Sequence, residues 1–482
     1  MNPPLSIVVA LLCILITSAA DADPAIPGVS LPEYQEIKLE NGARLVLMER
    51  REVPLVAFRA VLRGGAIAEP GELGGIARLT AGMLEQGAGT RDAQAFAETV
   101  AAVGGEIEVE GGLESISVSG EFLARDTDLW IGLLADMLRR PRFSETEFEK
   151  LKRRYIDAIA AAKDDDLRAF SSVYGAAYLD RGHPYGRPVS GSEESLARVA
   201  YQDMLDFYRT QIGSDRLLIV VVGDFDSASL SKKIATGLGD WRKAEGALPE
   251  ITAPVQASGR QILLVDKPGA SQSYFWIGNR GVSQTDPAEA AVNLVNTIFG
   301  DRFTSWLNTA LRVESGLTYG ARSVLRKHTL GGSLAMTSFT PTETTFEAID
   351  LALLQLQRLH QQGFDAASLD SGKNYVRGTF PLDLETGPQL ARALAGLKFF
   401  DQPDAAINDY AEAISHVSAA NAAAVIERVY PDLDNLVFVV IGDGAAIREQ
   451  LNSYGELDEV SISSPRFLPS AAQPAESGAN GG

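Results

Sequence analysis

The chain has 482 residues, of which 45% are apolar, so it is long enough and apolar enough for two or more globular units. Its 63 acidic residues outnumber its 43 basic residues, and the formal net charge of −20 argues against nucleic acid as a partner. Such a charge favours cationic or neutral partners instead. The single cysteine excludes a disulfide framework, an iron–sulfur cluster and a cysteine-rich zinc site.

The amino terminus carries a short apolar segment. Residues 5–16 are apolar except for Ser6, and they are too few to span a bilayer, which takes about 20 residues. Small residues follow at 18–20, as they do at a signal-peptidase cleavage site. We therefore predict a signal peptide over residues 1–22 and an exported, periplasmic protein that has no membrane span after cleavage. An uncleaved anchor is the alternative, because no lysine or arginine precedes the apolar segment.

The chain contains an internal repeat. Four features recur in the same order, about 220 residues apart. The matching pairs are the strand patterns at 45–47 and 262–264, Phe58 and Phe275, Gly64 and Gly281, and the apolar strand patterns at 217–222 and 436–441. An ordered set of matches at a nearly constant spacing predicts two homologous halves, each within the usual size of a domain.

Each half mixes strand and helix patterns. In the first half, residues 55–62 and 115–119 read as strands, whereas 145–163 carries an apolar stripe at helical spacing. We predict an α+β fold of two homologous halves, each a mixed or antiparallel sheet with helices packed on one side. The predicted boundaries are an N-terminal domain over 23–243, a linker over 244–258, a C-terminal domain over 259–463 and a disordered tail over 464–482.

The sequence offers few groups for self-sufficient catalysis. A zinc site carried on one helix needs two histidines one turn apart, and no two of the four histidines have that spacing. Neither a Gly-x-Ser-x-Gly motif nor a phosphate-binding loop is present. The histidines are His183, His328, His360 and His416. The spacing of these residues therefore argues against a hydrolase that works alone.

Several motifs resemble the pitrilysin/insulinase family of zinc metallopeptidases, and more closely its processing-peptidase branch. They are 74–77 (Gly-Gly-Ile-Ala), 183–186 (His-Pro-Tyr-Gly), 303–308 (Phe-Thr-Ser-Trp-Leu-Asn), 311–312 (Leu-Arg) and 316–319 (Gly-Leu-Thr-Tyr). The resemblance covers residues 31–452. It implies that the chain forms one half of a clamshell of two similar chains.

The resemblance also implies that the catalytic chemistry is lost. Active members of the family carry His-x-x-Glu-His after the Gly-Ile-Ala lead. In this chain Arg78 replaces the first zinc-binding histidine, Ala81 replaces the general-base glutamate and Gly82 replaces the second histidine. Arginine, alanine and glycine side chains cannot ligate zinc. The distal glutamate ligand of the family falls near Asp157 or Ala158, and the chain itself is expected to hold no metal.

The C-terminal half retains two residues that the family uses for substrate binding. By resemblance these are Arg312 and Tyr319, which would hold substrate backbone carbonyls near the scissile bond. The sequence alone would place Arg312 on a helix surface and Tyr319 on a half-buried strand over 317–321, so that the two flank a helix-to-strand turn. Fixed guanidinium and phenol donors aimed at a developing oxyanion stabilise it.

These features lead to one main prediction. The chain is expected to be the non-catalytic subunit of an exported heterodimeric zinc metallopeptidase, in which a homologous His-x-x-Glu-His partner holds the zinc and cleaves peptides. The alternative is a stand-alone scaffold or peptide-binding protein of the same fold without a proteolytic role. A third reading, an active metallopeptidase with substitute ligands, lacks any cluster of histidine and carboxylate residues at one-turn spacing.

Overall fold

The computed structural model describes residues 29–469, so the predicted signal peptide and residues 470–482 lie outside the described residues. Two six-stranded sheets form the framework. The first has the order β1-β2-β8-β3-β7-β6, and the second has the order β11-β12-β10-β13-β9-β14. The strands of the first sheet are β1 (Gln35–Lys38), β2 (Arg44–Glu49), β3 (Leu55–Arg63), β6 (Glu106–Gly111), β7 (Ser115–Leu123) and β8 (Leu217–Gly223). A separate small hairpin joins β4 (Gly87–Ala88) and β5 (Arg91–Asp92).

The second sheet repeats the pairing of the first. In both halves a fully buried central strand pairs parallel with one neighbour and antiparallel with the other, as β8 does with β2 and β3 and β13 does with β9 and β10. The strands of the second sheet are β9 (Gln261–Asp266), β10 (Gln272–Gly281), β11 (Arg322–His328), β12 (Gly331–Pro341), β13 (Val437–Gly442) and β14 (Glu456–Ser461). Residues 244–258 between the sheets carry no helix or strand.

Helices follow the strands in both halves. Those of the first half are α1 (Ile76–Leu84), α2 (Ala93–Ala101), α3 (Thr127–Arg139), α4 (Glu145–Asp165), α5 (Leu167–Leu179), α6 (Glu193–Arg198), α7 (Tyr201–Gln211) and α8 (Ser227–Leu238). Those of the second half are α9 (Glu289–Asn296), α10 (Trp306–Asn308), α11 (Thr345–Gln362), α12 (Ala366–Thr379), α13 (Gly387–Phe399), α14 (Ala405–Asn408), α15 (Tyr410–Ser415), α16 (Ala419–Val429) and α17 (Gly444–Leu451). Among the described residues, no helix is long and apolar enough to cross a membrane.

The predicted α+β fold of two similar halves is confirmed, with one addition. Within each half, helices pack on one face of the sheet and form its main core. The opposite face is covered by a helix from the other half, which the sequence did not predict. Helix α5 lies on the second sheet, where Tyr174 and Tyr178 pack with Trp276 and Val439. The close approach needs Gly175, because a Cβ there would lie 2.5 Å from the Trp276 ring.

Helix α13 makes the reciprocal contact on the first sheet. Its Leu390 and Leu394 are fully buried against Val46 and Val220, which point away from the main core of that sheet. Each such buried leucine contributes about 2 kcal/mol of hydrophobic stabilisation. Separation of the halves would expose both covered faces, so the packing of α5 and α13 ties the two halves together.

The C-terminal segment also joins the halves. Phe467 is buried with its ring 5.0 Å from that of Tyr174, and the Lys163 ammonium donates to the Ser464 carbonyl over 2.6 Å. The predicted disordered tail therefore begins too early, because residues 464–469 are packed against the first half. Sequence composition missed this contact because one phenylalanine in a segment rich in serine and proline gives no periodic signal.

We expect Phe467→Ala to lower the free energy of unfolding by about 2–3 kcal/mol, somewhat less than a central core position because a chain-terminal segment can relax. Leu382→Ala is the matched control, since 53% of Leu382 is exposed, and it should change stability by less than about 0.5 kcal/mol. Urea unfolding of both variants measures the difference. Equal stabilities would show that the segment does not hold the halves together.

Candidate functional site

Helix α1 carries the altered motif. Its N-terminus is held by Glu69, whose carboxylate accepts hydrogen bonds from the amides of Gly75 and Ala77, each over 3.0 Å. Gly75 has φ = +90°, which glycine adopts without strain. Burial raises the pKa of Glu69 to about 8. The second carboxyl oxygen of Glu69 is buried and has no hydrogen-bond partner among the described residues.

Tyr155 occupies the space beside the altered motif. This tyrosine projects from α4, and a Cβ at Gly82 would collide with its hydroxyl. The Arg78 guanidinium lies over the Tyr155 ring, 4.7 Å from its centre. Burial also raises the pKa of Tyr155, so the phenol stays protonated. A cation, a methyl group at Ala81 and a protonated phenol do not fit a zinc ion.

No other metal site takes the place of the motif in the part of the chain that the structure describes. No group of three or more histidine, cysteine, aspartate or glutamate side chains there could hold a metal ion. Asp157 and Ala158, where the distal ligand was expected, are both exposed on α4. The turn of α4 that faces α1 presents Tyr155 instead.

We expect Gly82→Ala to destabilise the protein by about 1–3 kcal/mol, because the added methyl group must displace the Tyr155 hydroxyl in a packed core. Gly132→Ala, on α3, is the matched control, since a Cβ there meets nothing within 4 Å. It should be neutral or stabilise by up to about 1 kcal/mol through helix propensity. Thermal unfolding distinguishes the two. An unaffected Gly82→Ala variant would mean that Tyr155 does not occupy this space.

Arg312 lies on an irregular helix in the second half. Helix α10 continues into a π-helical segment, Thr309–Glu314, and such segments are frequent at functional sites. Gly316, with φ = +70°, then ends the helix. The Arg312 guanidinium lies 4.7 Å from the centre of the Phe303 ring, and 62% of Phe303 is exposed. Phe303 precedes the helix, which begins at Trp306.

Tyr319 lies in a loop, and 81% of it is exposed. The predicted strand over 317–321 was wrong, since β11 begins at Arg322. The backbone of this loop is nevertheless fixed. Thr340 donates to the Leu317 carbonyl over 2.8 Å, and the Ala321 amide donates to the Asn308 side chain over 3.2 Å.

The exposed phenol of Tyr319 therefore stands on an anchored backbone. Neither Arg312 nor Tyr319 makes a side-chain hydrogen bond or an ion pair with another described residue, which leaves their donors available to a ligand. Donors held in place before the ligand arrives need no reorganisation when it binds.

The structure does not bring these two residues to the altered motif of the same chain. A cavity of about 560 Å³ lies beside Arg78 and Tyr155. The second half contributes Arg326 and His328 to its lining, whereas Arg312 and Tyr319 are not among the lining residues. Sequence reasoning missed Tyr155 and Arg326, because a tyrosine on a helical stripe and an arginine on a strand have many ordinary roles.

The chain is similar to known proteins over most of its length. The family model described as Insulinase (Peptidase family M16) matches residues 45–193, and the one described as Peptidase M16 inactive domain matches residues 198–376. Together the two matches cover more than half of the chain. The two models match consecutive segments of the chain, and the second match begins within the first half.

Individual relatives agree with the family models. The chain is 24% identical to the uncharacterized zinc protease YmxG of Bacillus subtilis, over 72% of this chain and 83% of that protein. It is 23% identical to the non-peptidase homolog YmxG of Helicobacter pylori, over 73% of this chain and 81% of that protein. A solved peptidase M16 inactive domain from Pseudomonas fluorescens has the same fold, with a TM-score of 0.79 at 21% identity, over 85% of this chain and 98% of that one.

Proposed function

Because the chain belongs to the insulinase family, peptidase M16, and is an inactive member of it, we propose that it is the non-catalytic subunit of an exported heterodimeric zinc metallopeptidase. A homologous chain with an intact His-x-x-Glu-His motif would hold the zinc ion and the general base. This chain would supply Arg312 and Tyr319 to the site of that partner, where peptides are hydrolysed.

One contrast supports this proposal above the others. The positions that would hold a metal are filled by Arg78, Ala81 and Gly82, with Tyr155 packed into the remaining space. Of the two substrate-side donors, Tyr319 is instead exposed on an anchored loop and Arg312 is half-buried, and neither is paired with another described residue. A protein that had lost every link to peptide hydrolysis would gain nothing from keeping both donors in this arrangement.

The chemistry of the two donors suits a site in another chain. An arginine and a tyrosine can donate hydrogen bonds to the carbonyl oxygens of an extended peptide, and these bonds strengthen as negative charge develops on the oxygen. Since neither side chain lines the cavity beside its own Arg78, docking of the C-terminal half against a partner would bring the donors to that partner's site.

The proposed compartment rests on the sequence. Residues 5–16 and the small residues after them have the pattern of a cleavable signal, which favours export to the periplasm. Removal of this segment would also remove Cys13, the one cysteine of the chain. The remaining chain could then form no disulfide in an oxidising compartment.

Isolation of the native complex tests the proposal. A tagged chain would be recovered from an envelope extract, and the eluate would be assayed for a second chain, for zinc and for peptide cleavage. We expect a homologous chain of similar size, about one zinc ion per pair, and activity that a chelator abolishes. Recovery of the chain alone, without metal or activity, would contradict the proposal and favour the stand-alone scaffold or peptide-binding protein.

A further inference from the structure

The cavity beside the altered motif lies between the two halves. Glu108 and Glu110 of edge strand β6 line one side, and Arg326 and His328 of edge strand β11 line the other. Arg78 lies beside them on α1. The cavity has a volume of about 560 Å³, which falls in the range of sites that hold small ligands or several residues of a peptide.

Two arginines in this cavity have no anionic partner. Arg78 stacks on Tyr155, and Arg326 is accessible from the cavity. Neither guanidinium makes a hydrogen bond or an ion pair with another residue that the structure describes. Burial lowers the pKa of Arg326 with no neighbouring carboxylate acting against it, although an arginine remains charged at neutral pH.

Most carboxylates around the cavity are already neutralised. Glu110 pairs with Arg59 over 3.5 Å, and Asp180 pairs with Arg280. Glu108 is the one lining carboxylate that has no ion pair among the described residues. Arg187, a further lining residue, donates to backbone carbonyl oxygens.

The lining thus has three arginines and three carboxylates, but none of the arginines has an ion pair among the described residues, whereas Glu108 is the one carboxylate without such a pair. The unpaired charge in the cavity is therefore mostly positive. Arginines that lie close together without an anionic partner repel one another, and an anionic group that binds between them removes this repulsion.

We propose that this cavity binds a peptide through a carboxylate, which Arg78 and Arg326 hold. The guanidinium groups provide paired N–H donors that match the two oxygens of a carboxylate. The imidazole of His328, packed 5.0 Å from the ring of Tyr185, can supply a further donor.

The surroundings favour a singly charged ligand. Glu108 and Glu110 at the side of the cavity repel a polyanion, but they can accept hydrogen bonds from peptide amides or attract a cationic side chain. A peptide with one carboxylate near its end can place that carboxylate against the arginines and its amides against the two glutamates. The altered zinc motif, which can no longer bind a metal, would thus help to anchor the ends of peptides. This role does not require the proposed partner.

Fluorescence anisotropy of the full chain without any partner tests this. The probes are three hexapeptides of alanine and serine, labelled at the N-terminus with the uncharged nitrobenzoxadiazole fluorophore: one with a free C-terminus, one amidated, and one amidated with a glutamate at the fifth position. We expect the free acid to bind at least 10-fold more tightly than the amidated peptide. Arg78→Met and Arg326→Met should each weaken its binding by about 10- to 100-fold, the loss of a charged hydrogen bond.

Arg322→Met is the matched control, because Arg322 lies on the same strand but lines a different cavity. It should leave the affinity within 2-fold of the wild type. Tight binding of the amidated glutamate peptide would show that the site accepts the carboxylates of acidic side chains as well as those of C-termini. Weak binding of that peptide would show that the site is specific for C-terminal carboxylates. Equal binding of the free and amidated peptides, no binding of either, or full affinity in both Met variants would overturn the proposal.

Discussion

Arg312→Ala combined with Tyr319→Ala should lower kcat/KM of the assembled peptidase by about 10²- to 10³-fold, the usual effect of removing a fixed oxyanion donor. Neither side chain makes a hydrogen bond or an ion pair with another described residue, and Arg312 stacks on the exposed Phe303. Assembly and stability should therefore remain unchanged. Steady-state kinetics on the purified complex, with size-exclusion chromatography of the same sample, measures both properties.

Conservative variants distinguish hydrogen-bond donation by the Tyr319 hydroxyl from packing of its ring. Tyr319→Phe keeps the exposed ring and removes the hydroxyl, so it should lower kcat/KM by at least about 10-fold if the phenol donates to the substrate. Val313→Ala, next to Arg312 on the same helix and 63% exposed, is the matched control and should keep full activity. An assembled double variant that cleaves peptides at the wild-type rate would show that Arg312 and Tyr319 play no part in the reaction.

Glu69→Gln should stabilise the protein at pH 8 by up to about 4–5 kcal/mol, and much less at pH 5. Burial raises the pKa of this carboxyl from 4.5 in the reference state to about 8 in the fold. As the pH rises from about 4.5 to 8, the unfolded chain therefore releases the proton while the folded chain keeps it, and stability falls. Glutamine retains the oxygen that accepts from Gly75 and Ala77 and has no proton to lose.

Urea unfolding at pH 5 and at pH 8 measures this difference. Glu427→Gln, at an exposed position on α16, is the control and should shift stability little at either pH. A Glu69→Gln effect of the same size at both pH values would show that Glu69 is ionised in the folded protein.

The duplicated fold could be predicted from the sequence because its signals are local and repeated. The strands β2, β3, β8, β9, β10 and β13 all fall where apolar runs recur along the chain. The strand at 317–321 was predicted wrongly, because the alternation of Leu317, Tyr319 and Ala321 does not follow burial: Tyr319 is exposed, whereas Thr318 beside it is buried. Alternation in a sequence shows neither which residues the fold buries nor which backbone groups pair.

The sequence by itself determined the loss of the zinc ligands, since the side chains at 78, 81 and 82 offer no ligating group whatever surrounds them. Only the tertiary structure decided what replaced them. Tyr155 reaches Gly82 from a helix more than 70 residues further along the chain, and Arg326 reaches the same cavity from the second half. The reciprocal packing of α5 and α13 likewise brings distant segments together. These contacts depend on how helices pack within a half and how the two halves pack together, and residue spacing along the chain carries no record of that packing.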